Sequence, residues 1–263
     1  MKITALTENT TFLENINTEH GLSLFIETDK HKILFDTGQT SLFAENAEKL
    51  GIDLATADLC FISHGHYDHT GGLRKFLEIN STAPIYINKF AFEPHFNGTE
   101  RYIGMDTSLK DNSRLKFVGD YLKIDEELEI FSFNSESRPY PTDTYGLNMI
   151  ENGNILPDDF RHEHYLLIKE NGKNILISGC SHKGILNIVE WTKPDILIGG
   201  FHFKDLDPNG DGKTVLEKSA EILNSFNTKY YTCHCTGTEQ FEFLKKFMSD
   251  KVEYLSCGQV FNL

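Results

Sequence analysis

The sequence predicts an α/β fold, a four-layer αββα sandwich of two mixed sheets with helices outside them. Two observations predict it. Each half of the chain opens on hairpin patterns, and helix–strand alternation follows each of them. A third bounds it: no repeat, low-complexity tract or Pro/Gly/Ser linker divides the 263 residues, so one domain, 1–263, is expected.

In chain order, "GLSLFIETDKHKILFDTG" reads as two strands around the turn Thr28–His31, the second ending at Asp36. "TSLFAENAEKLG" places Leu42, Phe43, Ala47 and Leu50 at helical spacing and closes on Gly51. "ADLCFIS" is a short buried strand, "GGLRKFLEIN" a helix and "APIYIN" a strand. Residues 95–127 are polar with scattered glycines and aromatics and read as a lid or excursion. "ELEIFSF" resumes strand character, and "HYLLIKENGKNILISG" is a hairpin around Asn171–Gly172. There follow a helix (GILNIVEW), a strand (DILIGG), a helix from Lys213 to about Phe226, a strand (KYYTC), a helix (EQFEFLKKFM) and a last strand (VEYLS).

A formal net charge of −14 removes the clustered basic field that phosphate backbones require, which argues against nucleic acid as a partner. No run of 18 apolar residues is present, so no membrane-spanning helix is expected. The start MKITALTENTTFLEN turns polar within a few residues and lacks a signal-peptide apolar core. Five scattered cysteines, an odd number in a chain of this size, suit reduced thiols and a cytoplasmic location.

"ISHGHYDHTGG" concentrates His64, His66, Asp68 and His69 within six positions after a buried strand. Imidazole suits borderline divalent metals and a carboxylate a harder one. Residues two apart can face one cation while Asp68 and His69 face a second. Gly71 and Gly72 are expected to let the backbone pass close to that centre. The bland alternative is a polar loop of hydrogen-bonding histidines, against which the density of ligand-type side chains weighs heavily. Further candidates end apolar strands: Cys180 and His182 in "ILISGCSH", His202 in "IGGFHF" and His234 between Cys233 and Cys235 in "YYTCHCTG". Any one of them could instead be a core histidine satisfied by a carbonyl.

The strand ending in Asp36, the His64–His69 motif and the strand-end ligands resemble the metallo-β-lactamase superfamily over nearly the whole chain. "HGLSLFIET", "ILFDTGQT", "SHGHYDHTGGL", "SGCSHKGILNI", "GGFHF" and "HCTG" are similar to its branch of dihydropterin/aminobenzene-phosphate synthase-like metal-dependent hydrolases. The resemblance implies a metallo-β-lactamase-type sandwich and two divalent metal ions, zinc first, with iron or manganese also compatible. His64 and His66 would hold the first metal, and Asp68, His69 and His234 the second. Asp36 would orient a ligand by a charge-assisted hydrogen bond. Cys180 stands where most of the superfamily carries a bridging aspartate, and His182 is the better imidazole for the first metal. His162, eighteen residues before Cys180, either fills a further ligand place or leaves it empty. Asn88 stands where this branch leads one to expect a histidine.

The implied mechanism is attack by a hydroxide bridging the two cations, with Asp68 orienting it or carrying its proton. His202 would bind substrate or protonate the leaving group. The expected activity is hydrolysis of a small phosphorylated or ester/lactone-like metabolite. The alternatives are a pterin-related condensing synthase and a catalytically silent metal- or ligand-binding relative. "DLDPNGDGK" has Asp207, Asn209 and Asp211 in calcium-loop order, but Lys218 stands where the bidentate Glu belongs, so a turn is expected.

Overall fold

The structure, a computed structural model, describes residues 1–263. Its first sheet runs in the order Val260–Asn262, Lys2–Thr7, Ser23–Glu27, Lys32–Phe35, Leu59–Ile62, Ile85–Asn88, Leu115–Val118. The second runs Val252–Tyr254, Lys229–Thr232, Ile196–Gly199, Lys173–Ile177, Tyr165–Glu170, Leu128–Phe131, Tyr121–Lys123. Each sheet is antiparallel on one side of its central hairpin and parallel on the other. The first hairpin closes through Thr28 N–H to His31 O at 2.8 Å. The second turns at Asn171 and Gly172, whose φ angles of 52° and 73° are those the favoured two-residue turn requires.

Strand alternation explains the near-continuous apolar runs. Ile33 and Phe35 pack between the sheets while Leu34 faces the helices Leu42–Lys49 and Leu73–Ile79. Ile175 and Ile177 likewise point between the sheets, and Leu176 faces the helices Ile185–Thr192, Lys213–Ser225 and Thr238–Met248. Both faces of each sheet are covered, which is the four-layer sandwich.

The expected excursion over 95–127 is corrected in its bounds. Leu115–Val118 and Tyr121–Lys123 are outer strands of the main sheets. Outer strands bury little, and their exposed Lys116, Phe117, Tyr121 and Lys123 hide the pattern. His95–Asn97 and Arg101–Tyr102 instead join Leu147–Glu151 and Asn154–Pro157 in a third, four-stranded sheet. This sheet docks on the histidine loop through a bridge between Gly104 and His66 and through Tyr67 N–H to Ile103 O at 2.9 Å. It is a wall of the site. The strand Lys2–Thr7 escaped the sequence reading because its buried Thr4 and Thr7 break the apolar alternation. The Asp207 stretch forms a turn: its carboxylate accepts from Asn209 N–H at 2.8 Å and its carbonyl from Gly210 N–H at 3.2 Å. No helix is long and apolar enough to cross a membrane.

Candidate metal centre

The parallel strands of both sheets end at one edge of the sandwich, and the loops leaving them carry the candidate residues. Lys32–Phe35 delivers Asp36, and Leu59–Ile62 delivers Ser63 and His64. A four-residue helix, Tyr67–Thr70, then turns Asp68 and His69 inward. In the second sheet, three neighbouring strands release Cys180 and His182, then His202, then His234. Asp36, Ser181, His202 and His234 have φ of 54°, 60°, 56° and 50°. Side chains other than glycine seldom accept that conformation, at a cost of about 1–2 kcal/mol each. Their concentration here marks an edge shaped by something other than local preference.

Gly71 and Gly72 serve a different contact from the one expected. A Cβ on Gly71 would lie 2.0 Å from Gln39 O, and one on Gly72 2.2 Å from Thr37 O. They seat the loop after Asp36. The glycine that admits the centre is Gly179, where a Cβ would fall 2.2 Å from Ser63 Oγ and 3.2 Å from His64 Nδ1.

A hydrogen-bond chain assigns the imidazole protons. Asp36 is wholly buried and accepts from Ser63 N–H, Ser63 Oγ and His69 Nδ1, each at 2.7 Å. Ser63 spends its hydroxyl proton on Asp36, so its oxygen accepts from His64 Nδ1 at 2.8 Å. His234 Nδ1 donates to Asn9 Oδ1 at 2.8 Å. In His64, His69 and His234 the Nε2 lone pair is thereby left facing the centre, the arrangement of metal-ligating histidines.

The facing atoms are spaced as ligands. His64 Nε2 lies 3.3 Å from His182 Nε2, His69 Nε2 3.2 Å from Cys180 Sγ, and Asp68 Oδ2 3.4 Å from His234 Nε2. Tetrahedral bonds of about 2.0–2.3 Å put donor atoms about 3.3–3.8 Å apart. One donor atom from each of His64, His66 and His182 falls within 4.8 Å of the others, as does one from each of His64, His69 and Cys180. Nε2 of His66 and of His234 is buried with no hydrogen-bond partner. These residues fit divalent cations.

Electrostatics agree. Burial and the neighbouring imidazoles push His64, His66 and His182 well below the usual histidine range, so they stay neutral. Burial alone would raise Asp68, but His69, His20 and His234 hold its carboxyl well below the usual carboxylate range. His69 is the exception: burial opposes a charge on it, yet Asp36 and Asp68 outweigh burial and raise that group to about 9, so without a cation its Nε2 holds a proton that a metal must displace.

His66, Asp68, His182, His202 and His234 line a cavity of about 360 Å³, with Arg101 and Lys204 also on its wall. His202 therefore reaches the site, its ring 4.3 Å from that of His182. Asn88 does not; its Oδ1 accepts from Phe90 N–H at 2.9 Å. His164 is a core histidine, its Nε2 bonded to Ile62 O and its ring on Phe61 at 4.4 Å. Cys233 packs between the sheets while Cys235 lines the cavity. His162 stands beside the centre, next to His95 and Asp158. His20, whose Nε2 is 3.2 Å from Asp68 Oδ2, precedes the first hairpin in "EHGLS", and its place there was the one signal that could have found it. Arg101, Lys204, His95 and Asp158 carried no such signal.

The family model of the metallo-beta-lactamase superfamily matches residues 16–180. A Methanocaldococcus jannaschii protein named 7,8-dihydropterin-6-methyl-4-(beta-D-ribofuranosyl)-aminobenzene-5'-phosphate synthase is 34% identical over 278 residues, covering 92% of this chain and 89% of the relative. An uncharacterized protein of the same organism is 30% identical over 244 residues, covering 89% and 90%. Among solved structures, Tm1679, a metal-dependent hydrolase of the beta-lactamase superfamily, superposes with a TM-score of 0.84 at 28% identity, over 100% of this chain and 99% of that one. Zn(2+)-bound PqqB from Methylobacterium extorquens shares the fold at a TM-score of 0.63 and 11% identity, with 100% of each chain covered.

Proposed function

The chain belongs to the metallo-beta-lactamase superfamily, and on that premise we propose that it is a metal-dependent hydrolase of a small phosphorylated or ester/lactone-like metabolite. The observation that carries the reading is the convergence of ligand-type side chains behind a substrate-sized cavity: His66, Asp68, His182 and His234 line its wall, and His64 and His69 are oriented by Ser63 and Asp36 just beneath it. His64, His66 and His182 would hold one divalent cation, and Asp68, His69 and His234 a second, zinc, iron and manganese all suiting the donor set. Bound there, such cations would supply a nucleophile at neutral pH and polarise a carbonyl or phosphoryl oxygen.

The chain's own residues supply the rest. Asp68 stays ionised, and its Oδ2 lies within reach of His20 and His234, so it can take a proton from an attacking water and pass it to His20, which is partly exposed. His202 stands on the cavity wall beside His182 and Tyr145, placed to hydrogen-bond the substrate or protonate the departing oxygen. Arg101, held by Tyr67 Oη at 3.0 Å, and Lys204 bring two cations to the wall of a cavity in an otherwise acidic protein. That favours an anionic metabolite.

The relative named as a synthase favours a second reading, in which the same electrophilic centre serves a condensation. Elemental analysis, joined to a panel of phosphodiesters, lactones and pterin-type phosphates with added zinc or manganese, separates the two. Two equivalents of metal with metal-dependent hydrolysis support the first. Metal uptake with carbon–carbon or carbon–nitrogen bond formation and no hydrolysis supports the second. Less than one equivalent and no turnover after reconstitution would leave a silent ligand-binding relative.

A further inference from the structure

Outside the residues assigned above, His95, Asp158 and His162 form a cluster against His66. All four side chains are buried, and one donor atom from each lies within 4.8 Å of the others. The third sheet assembles it. His95 opens a strand that pairs with Leu147–Glu151, and Asp158 follows the strand on the other side, its N–H bonded to Leu147 O at 3.0 Å.

The ring protons of His95 and His162 can be placed. Gly65 N–H donates to His162 Nδ1 at 3.0 Å, so the neutral ring carries its proton on Nε2, 3.5 Å from Asp158 Oδ2. Phe160 N–H donates to Asp158 Oδ1 at 2.7 Å. His95 Nδ1 donates to Asp158 Oδ2, also at 2.7 Å. Three buried nitrogens of the cluster are without a hydrogen-bond partner: Nε2 of His95, which the bond to Asp158 leaves as a lone pair, Nε2 of His162 and Nε2 of His66. A buried polar group left unpaired costs about 1–3 kcal/mol, and the lone pair of His95 beside the orphaned nitrogen of His66 calls for an occupant.

We propose that His95 and His66 share a divalent transition-metal cation, making His95 an additional ligand of the centre, with Asp158 as the carboxylate that orients it. The inference rests on reading this edge as a metal centre and adds a ligand from the third sheet. Bonds of about 2.1 Å to Nε2 of two rings put the ring centres roughly 5–6 Å apart. Those of His66 and His95 are 5.6 Å apart. Asp158–His95 then repeats the pairing of Asp36 with His69, a carboxylate on Nδ1 that leaves Nε2 for the cation.

The test is cobalt(II) titration of the full chain, followed by paramagnetic proton NMR, which reads ligation whether or not the enzyme turns over. A hyperfine-shifted, slowly exchanging imidazole N–H should be lost in His95→Gln and kept in His31→Gln. Asp158→Asn, which keeps His95 but unsettles its tautomer, should weaken cobalt binding about tenfold to hundredfold and carries the test if His95→Gln does not fold. Cobalt bound with unchanged shifted signals in a folded His95→Gln, or with unchanged affinity in Asp158→Asn, overturns the assignment of His95 and leaves the rest of the centre standing. A wild-type chain that takes up no cobalt overturns the metal reading and this inference together.

Discussion

Replacing Asp36 by asparagine tests the centre most sharply, because one carboxylate sets the tautomer of a ligand for each proposed cation. It accepts from His69 Nδ1 directly and reaches His64 through the hydroxyl of Ser63, all at 2.7–2.8 Å. Asparagine is nearly isosteric, and its oxygen can keep the bond from Ser63 N–H. Its amide nitrogen then faces His69 Nδ1–H, donor against donor. The proton on His69 escapes that clash by moving to Nε2, the nitrogen 3.2 Å from Cys180 Sγ, where it blocks the cation. Ser63 turns to accept from the amide and donates to His64, so His64 shifts its proton the same way. Loss of an orienting partner weakens metal binding about tenfold to hundredfold per site, or about 1.4–2.7 kcal/mol. Competition with a chromophoric chelator would measure both affinities, and thermal melts of the metal-free protein would confirm the fold. An Asp36→Asn protein that melts normally and keeps both affinities within a factor of two would refute the tautomer argument.

Four further outcomes are expected. Asp68→Ala should abolish turnover while leaving the protein folded, since the residue sits at the cavity wall outside the main clusters; retained activity in a kinetic assay would sink the two-cation mechanism. His69 in the cation-free chain is raised to about 9, so below that pH a proton competes with the metal. Affinity at its site should therefore rise by about tenfold per pH unit and level off above about 9, with one proton released at pH 7, measurable with an indicator dye; a flat profile would contradict it. Arg101→Ala should raise KM about tenfold for phosphorylated substrates, the loss of one charge-assisted bond of about 1.5 kcal/mol, and leave neutral lactones unaffected. Gly179→Ala should destabilise the fold by about 1–3 kcal/mol, because its Cβ would overlap Ser63 Oγ; a melt unchanged from wild type would show that the two loops can part.

Read from sequence alone, the loop from His64 to His69 announced a candidate metal centre because its ligand-type residues lie within six positions of chain, where spacing and geometry are nearly the same thing. The strand ends at His182, His202 and His234 were legible for a related reason: short apolar runs covered on both faces are strands whose position is set by their own composition, and the residue after each must emerge at the sheet edge. The same logic located Asp36, and both hairpins were written in their turns. The outer strands Leu115–Val118 and Tyr121–Lys123 were not, because an outer strand's residues answer largely to solvent.

Tertiary structure alone decided which imidazole nitrogen carries the proton, since that follows from Asp36, Ser63 and Asn9 arriving from separate segments. It alone brought His95 to Asp158, residues 63 positions apart that meet because a third sheet pairs across the gap. It alone set Arg101 and Lys204 on the wall of one cavity. Local pattern reports how a segment buries itself; which distant segments share a site is decided by how the sheets stack.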